Sequence, residues 1–158
     1  MIFLLVGRLY VGVVGVPRKS RLRVPPCKDR QLSNAPIISI VDDDESVRIA
    51  TVKLVRVHGF AAHGFASAEE FLRSPRAVDT SCVITDVRMP GMSGVDLQSH
   101  LIAQGRRIPM IFITAFRQEG TEARAMAAGA ICFLTKPFDG GKLISCLTEA
   151  LKGDGPSD

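Results

Sequence analysis

Between Pro36 and Leu151 the chain alternates five times between a short apolar run and a segment whose apolar residues recur every three or four positions. The first run, Ile37-Ile38-Ser39-Ile40-Val41, stops abruptly at Asp42-Asp43-Asp44-Glu45. Val47, Ala50, Leu54 and Val55 then mark one face of a helix closed by His58-Gly59, with Asp44 and Glu45 suited to cap its positive end. Phe60–Phe65 predicts a second strand, and Ser67 with Glu70 gives a capping-box pattern ahead of Phe71 and Leu72. Ser81–Thr85 predicts a third strand that delivers Asp86 to a turn built by Pro90 and Gly91. Ser93 sits at the N-cap position of a helix whose stripe is Val95, Leu97, Leu101 and Ile102. A strand over Ile108–Ile113 ends at Thr114, and a helix over Thr121–Ala128 stops at Gly129. Ile131–Leu134 predicts the last strand, running into Thr135-Lys136-Pro137, and Phe138–Leu151 the last helix, with Leu143, Ile144, Leu147 and Leu151 as its stripe.

Continuous apolar strands alternating with amphipathic helices predict an α/β fold, a parallel sheet covered on both faces. Right-handed crossovers make the arrangement doubly wound. The domain spans residues 35–152, preceded by an extension over residues 1–34 and followed by a short tail over 153–158, both expected to be disordered.

Charge is distributed unevenly. Residues 1–34 hold seven Lys and Arg against the single acid Asp29, a local charge of +6, which leaves −2 for the rest of a chain whose total is +4. The folded part is therefore mildly acidic, and the basic pI is no argument for nucleic-acid binding. The apolar stretch over residues 1–16 is shorter than the ~20 residues a spanning helix needs and lacks the basic flank of a secretory signal, so membrane association is not expected. Cys27, Cys82, Cys132 and Cys146 show no metal-like spacing. Cys82 and Cys132 lie in apolar runs and read as small buried hydrophobes, in keeping with a reducing, cytoplasmic compartment. His58, His63 and His100 read as surface or helix-end residues.

Four strands end in polar residues: Asp42 and Asp43 after the first, Asp86 after the third, Thr114 after the fourth and Lys136 after the fifth. A parallel sheet brings these carboxyl ends to one edge. Clustered carboxylates repel one another and call for a cation, and an all-oxygen donor set suits Mg²⁺. A lysine and a hydroxyl beside them supply what a phosphoryl group requires, so the constellation predicts phosphoryl transfer onto an aspartate.

Ile40-Val41-Asp42-Asp43-Asp44, the stretch from Val83 through Asp86 to Gly94, Ile113-Thr114-Ala115, and Phe133-Leu134-Thr135-Lys136-Pro137-Phe138 together resemble the receiver domain of bacterial two-component response regulators, particularly the nitrogen-fixation regulator type. The resemblance implies a flavodoxin-like, three-layer fold with five parallel strands in the order 2-1-3-4-5 and five helices. It implies that Asp86 is the phosphoacceptor and that Asp43, Asp86 and the Arg88 backbone carbonyl ligate Mg²⁺, with Asp42 acting mainly through a water. Lys136 would pair with the phosphoryl oxygens across a cis Lys136–Pro137 bond, Thr114 would move to bind the phosphoryl group, and Phe133 would swing inward as the aromatic switch. The bulky Arg88 and Phe116, each two residues past a site residue, would overhang the phosphoryl group and lengthen its lifetime.

As partners the resemblance implies a sensor histidine kinase or histidine phosphotransfer protein. It also implies a protein reader, or a second copy of the chain, on the face formed by the fourth helix, fifth strand and fifth helix. The few residues after Leu151 leave no room for a DNA-binding output, so a stand-alone receiver, or a fragment of a longer regulator, is expected and direct nucleic-acid binding is not. The role is that of a switch rather than an enzyme. A Mg²⁺-dependent phosphohydrolase of the haloacid-dehalogenase kind is the rival, but Asp42-Asp43-Asp44-Glu45-Ser46 lacks the Asp-x-Asp-x-Thr threonine. A nucleotide- or flavin-binding domain would want a Gly-rich phosphate loop where this chain is acidic.

Overall fold

The computed structural model describes residues 35–153, so the expected extension over residues 1–34 and residues 154–158 of the tail lie outside the described residues. The elements are β1 (Ile37–Val41), α1 (Glu45–Val57), β2 (Ala61–Phe65), α2 (Ala68–Arg73), β3 (Cys82–Asp86), α3 (Gly94–Ala103), β4 (Met110–Thr114), α4 (Glu119–Ala127), β5 (Cys132–Thr135) and α5 (Gly140–Lys152), with a 3₁₀ turn at Pro75–Ala77 after α2. All strand pairings are parallel, in the order β2-β1-β3-β4-β5.

Alternate strand residues feed two separate cores, because successive side chains of a strand point to opposite faces. Val41, Val83, Met110 and Phe112 pack with Phe71, Leu97 and Leu101 beneath α2 and α3. Ile38, Ile40, Ile84, Ile111 and Ile113 pack with Val55, Leu143 and Leu147 beneath α1 and α5. Burial on both faces is why these strands read as unbroken apolar runs.

Side-chain caps set several helix starts. Asp44 accepts from the Ser46 and Val47 N–H groups at the start of α1, and Ser93 and Asp96 form a capping box on α3. Ser67 caps α2, but Glu70 reaches back to the N–H of Ala66, one residue before the cap. The last helix starts at Gly140 rather than Phe138, because Asp139 caps it and Phe138 packs against the core under α1 and α5. Ala50, expected on the buried stripe of α1, is exposed; its neighbour Thr51 is buried instead, with its hydroxyl bonded to the Val47 carbonyl.

The cysteine expectation is corrected. Cys132 is not a solitary buried thiol but is disulfide-bonded to Cys146. β5 carries Cys132 against the face that α5 covers, where Cys146 lies on the buried stripe, leaving their Cα atoms 6.1 Å apart. Nothing in a separation of 14 residues announces that pairing. His63 also departs from expectation, since it lies on β2, half-buried, and accepts a hydrogen bond from Arg76. Among the described residues no helix is long and apolar enough to cross a membrane.

Candidate functional site

The chain turns from β1 one way to β2 and the other way to β3, so β1 and β3 diverge in connectivity at their carboxyl ends. Open α/β sheets place ligands in the crevice at such a point. Asp42 stands one residue past β1 and Asp86 is the last residue of β3.

Asp42 is only 3% exposed. Its N–H donates to the Phe65 carbonyl (3.1 Å), its own carbonyl accepts from Arg48 Nη1 (2.7 Å), and its Oδ1 accepts from the Asp44 N–H (2.9 Å). Asp86 is 8% exposed, and its Oδ1 accepts from the Arg88 N–H (3.0 Å). Asp43 is exposed beside them, and one carboxylate oxygen from each of the three lies within 4.8 Å of the others.

Lys136 closes the cluster. Its Nζ lies 2.9 Å from Asp42 Oδ2 and 2.7 Å from Asp86 Oδ2. The Lys136 N–H donates to the Thr114 carbonyl (2.7 Å), tying the loop to the end of β4, and the Lys136–Pro137 peptide bond is cis. Burial pushes the Asp42 carboxyl above the usual carboxylate range, against the pull of Lys136 and the Asp44 N–H. Burial also works against the Lys136 ammonium, but its bonds to Asp86 and Asp42 carry it above the usual lysine value. The ammonium thus bonds two of three clustered carboxylates, leaving a surplus of negative charge and an oxygen-only donor set. That donor set fits a hard cation such as Mg²⁺, which Asp42, Asp43 and Asp86 would hold.

Other expected residues stand outside this cluster. Thr114, 1% exposed, ends β4 with its hydroxyl donating to the Phe116 carbonyl (2.9 Å) and accepting from the Phe116 N–H (3.2 Å). Its hydroxyl is thus engaged with its own loop. Phe133 is half-buried on β5, its ring stacked on Phe112 at 5.8 Å. Phe116 is 70% exposed, and the Arg88 side chain is exposed as well.

Three supporting residues were not foreseen. Arg48 clamps the Asp42 carbonyl. Glu69 accepts from the Met92 N–H (2.8 Å), fixing the β3–α3 loop, and the Met92 bond holds its carboxyl below the usual range. Gly94 lets α3 start directly against β3, since a Cβ there would collide with the Asp86 carbonyl oxygen. A glycine immediately after an N-cap serine was the signal for the last; Arg48 and Glu69 carry no pattern of their own.

The family profile described as response regulator receiver domain matches residues 38–148. The chain is 41% identical over 130 residues to the response regulator protein TodT of Pseudomonas putida, covering 80% of this chain and 57% of that protein. It is 36% identical over 114 residues to the transcriptional regulatory protein FixJ of Azorhizobium caulinodans, covering 72% of this chain and 54% of that one. The chain therefore spans little more than half the length of these curated relatives. The crystal structure of FixJ-N superposes with a TM-score of 0.69 at 35% identity, covering 77% of this chain and 98% of that one.

Proposed function

Because the chain belongs to the response regulator receiver family, we propose that it is a phosphorylation-controlled switch in which Asp86 accepts a phosphoryl group from a histidine kinase or a histidine phosphotransfer protein. The observation that carries the reading is the Lys136 ammonium bridging Asp86 and Asp42 at the point where β1 and β3 part. A carboxylate oxygen of Asp86 forms the bond to phosphorus as the histidine nitrogen leaves. Asp42, Asp43, Asp86 and the Arg88 carbonyl would hold Mg²⁺, which when bound neutralises charge on the transferring group. Lys136, released from the Asp86 carboxylate, pairs with a phosphoryl oxygen.

Thr114 must exchange its bonds to the Phe116 backbone for one to the phosphoryl group. The loop then moves, and Phe133 leaves its place beside Phe112. Such a local charge change is read at the α4, β5 and α5 face, by a protein partner or a second copy of the chain. Arg88 and Phe116 screen the acyl phosphate from water and lengthen its lifetime. An apolar groove of about 580 Å³ between α1 and the loop after β5, lined by Val47, Leu54, Lys136 and Phe138, offers the donor protein a seat beside Asp86. A cytoplasmic location belongs to this reading, and self-phosphorylation from small donors with slow self-dephosphorylation is its only expected turnover.

The similarity to FixJ, a protein named as a transcriptional regulator, favours a second reading in which this receiver works within a longer regulator. Phosphorylation would then be read by an attached output rather than by a separate protein. Borohydride reduction of a sample treated with a small phosphodonor and Mg²⁺ tests the shared premise. Conversion of residue 86 to homoserine supports it, and label at any other residue contradicts it. Loss of label from an Arg88→Ala, Phe116→Ala variant no faster than from the wild type would count against the proposed screening.

A further inference from the structure

The loop that carries Lys136 is closed by a covalent bond. Lys136 lies between Cys132 on β5 and Cys146 on α5, so their disulfide, with a sequence separation of 14, encloses the stretch from β5 into α5. Inside that ring Lys136 Nζ holds Asp86 and Asp42. Phe138, also inside it, packs into the core under α1 and α5 that receives both cysteines. Phe133, next to Cys132, faces the other way along β5 and stacks on Phe112. One bond therefore ties together the strand and the helix on either side of the lysine.

The two cysteines differ in how they can be approached. β5 is an edge strand and Cys132 is half-buried on it, whereas Cys146 is 5% exposed on the buried stripe of α5. Exchange depends on access and on which sulfur is attacked. A thiol arriving from solvent meets Cys132 first, which makes Cys146 the leaving sulfur. Disulfides persist as fixed staples in oxidising surroundings, while in a reducing cytoplasm they are characteristically transient and redox-sensing.

We propose that Cys132 and Cys146 form a thiol–disulfide exchange site for a low-molecular-weight thiol, and that its state sets how firmly Lys136 is held for phosphotransfer. The inference rests on the cytoplasmic switch proposed above and adds a redox input to it. A thiolate of the reductant attacks Cys132 Sγ, the Cys132–Cys146 bond breaks, and Cys146 Sγ leaves with the electron pair and takes a proton. A second reductant thiol attacks the mixed disulfide, releasing Cys132 as a thiol and leaving the reductant as its own disulfide. Two electrons pass to the protein, and the oxidised form of the same thiol drives the reverse. Opening the ring returns conformational freedom to the loop, so Lys136 is less well placed over Asp86.

The test equilibrates the full chain with mixtures of reduced and oxidised glutathione, and maps Cys132 and Cys146 by alkylation and peptide mass. Each form is then compared by backbone amide NMR without phosphorylation, and by the rate of phosphoryl uptake from acetyl phosphate with Mg²⁺. Glutathione should open and reclose the bond reversibly, with the mixed disulfide on Cys132. The reduced protein should stay folded, show shifted amides at Thr135, Lys136 and Phe138, and take up phosphoryl groups more slowly by about threefold or more. Cys146→Ala should show the slower rate in both conditions; if it fails to fold, the two forms of the wild type decide the matter. A bond that glutathione leaves closed, or an opened bond with an unchanged Lys136 amide or an unchanged rate of uptake, would overturn the proposal. Redox-dependent Lys136 shifts in a chain that takes up no phosphoryl group in either form would instead sink the Asp86 assignment and leave the exchange site standing.

Discussion

Lys136, on the loop after β5, reaches Asp86 at the end of β3 with an Nζ to Oδ2 distance of 2.7 Å, joining positions 50 residues apart in the chain. The same nitrogen holds Asp42, so the ion pair works as a clasp over the carboxyl edge of the sheet. One ammonium cannot neutralise the three carboxylates around it, and the predictions for the site follow from that imbalance.

Asp42→Asn removes a buried charge that Lys136 only partly compensates. Without divalent cations the variant should be more stable than the wild type by about 1 kcal/mol, since a buried charge carries a desolvation cost that pairing offsets incompletely. The same change should weaken Mg²⁺ binding about tenfold or more. Urea unfolding with and without Mg²⁺ measures both, and a variant less stable in each condition would speak against the charge surplus.

Gly94→Ala should destabilise by about 1–3 kcal/mol, because the added methyl meets the Asp86 backbone rather than a movable side chain. Gly120→Ala, with open space around its Cβ, is the matched control and should be near neutral or mildly stabilising. Equal unfolding midpoints for the two variants would show that α3 can shift away from β3.

His63 accepts from Arg76 through Nε2 (3.0 Å), which requires a neutral ring. Burial first, then the charges of Arg76 and Arg56, hold its imidazole below the usual histidine value. The unfolded chain therefore binds this proton more readily. Stability from the neutral ring is complete above the ordinary value of about 6.5 and is lost as pH falls through the depressed folded value. His63→Gln should flatten that decline between pH 7.5 and about 5. An unchanged slope in the variant would assign it to other groups.

The Cys132–Cys146 bridge closes a short loop between β5 and α5. Dithiothreitol should lower the unfolding free energy of the oxidised protein by about 3 kcal/mol and leave Cys146→Ala unaffected. Free thiols in a sample purified without reductant would contradict the pairing.

The sheet was legible because its strands are buried on both faces and bounded by polar or turn residues. The first strand matches residue for residue, and the bounded elements after it differ by one or two residues at their ends. Asp42, Asp86 and Lys136 could be brought together from topology alone, since parallel strands share a carboxyl edge. Pairings across layers were not legible: Cys132 with Cys146, Gln98 with Ala125 and Glu69 with Met92 depend on how helices and loops settle on the sheet. The bonds of Thr114 to its own loop were equally hidden, because they describe one state of a residue expected to have two.

Intact-mass spectrometry after incubation with acetyl phosphate tests the central claim most directly. The wild type should gain a single phosphoryl adduct with Mg²⁺ present and none after chelation, and Asp86→Asn should gain none in either condition. No adduct on the wild type, or an equal adduct on Asp86→Asn, would contradict the assignment of Asp86 as the phosphoacceptor.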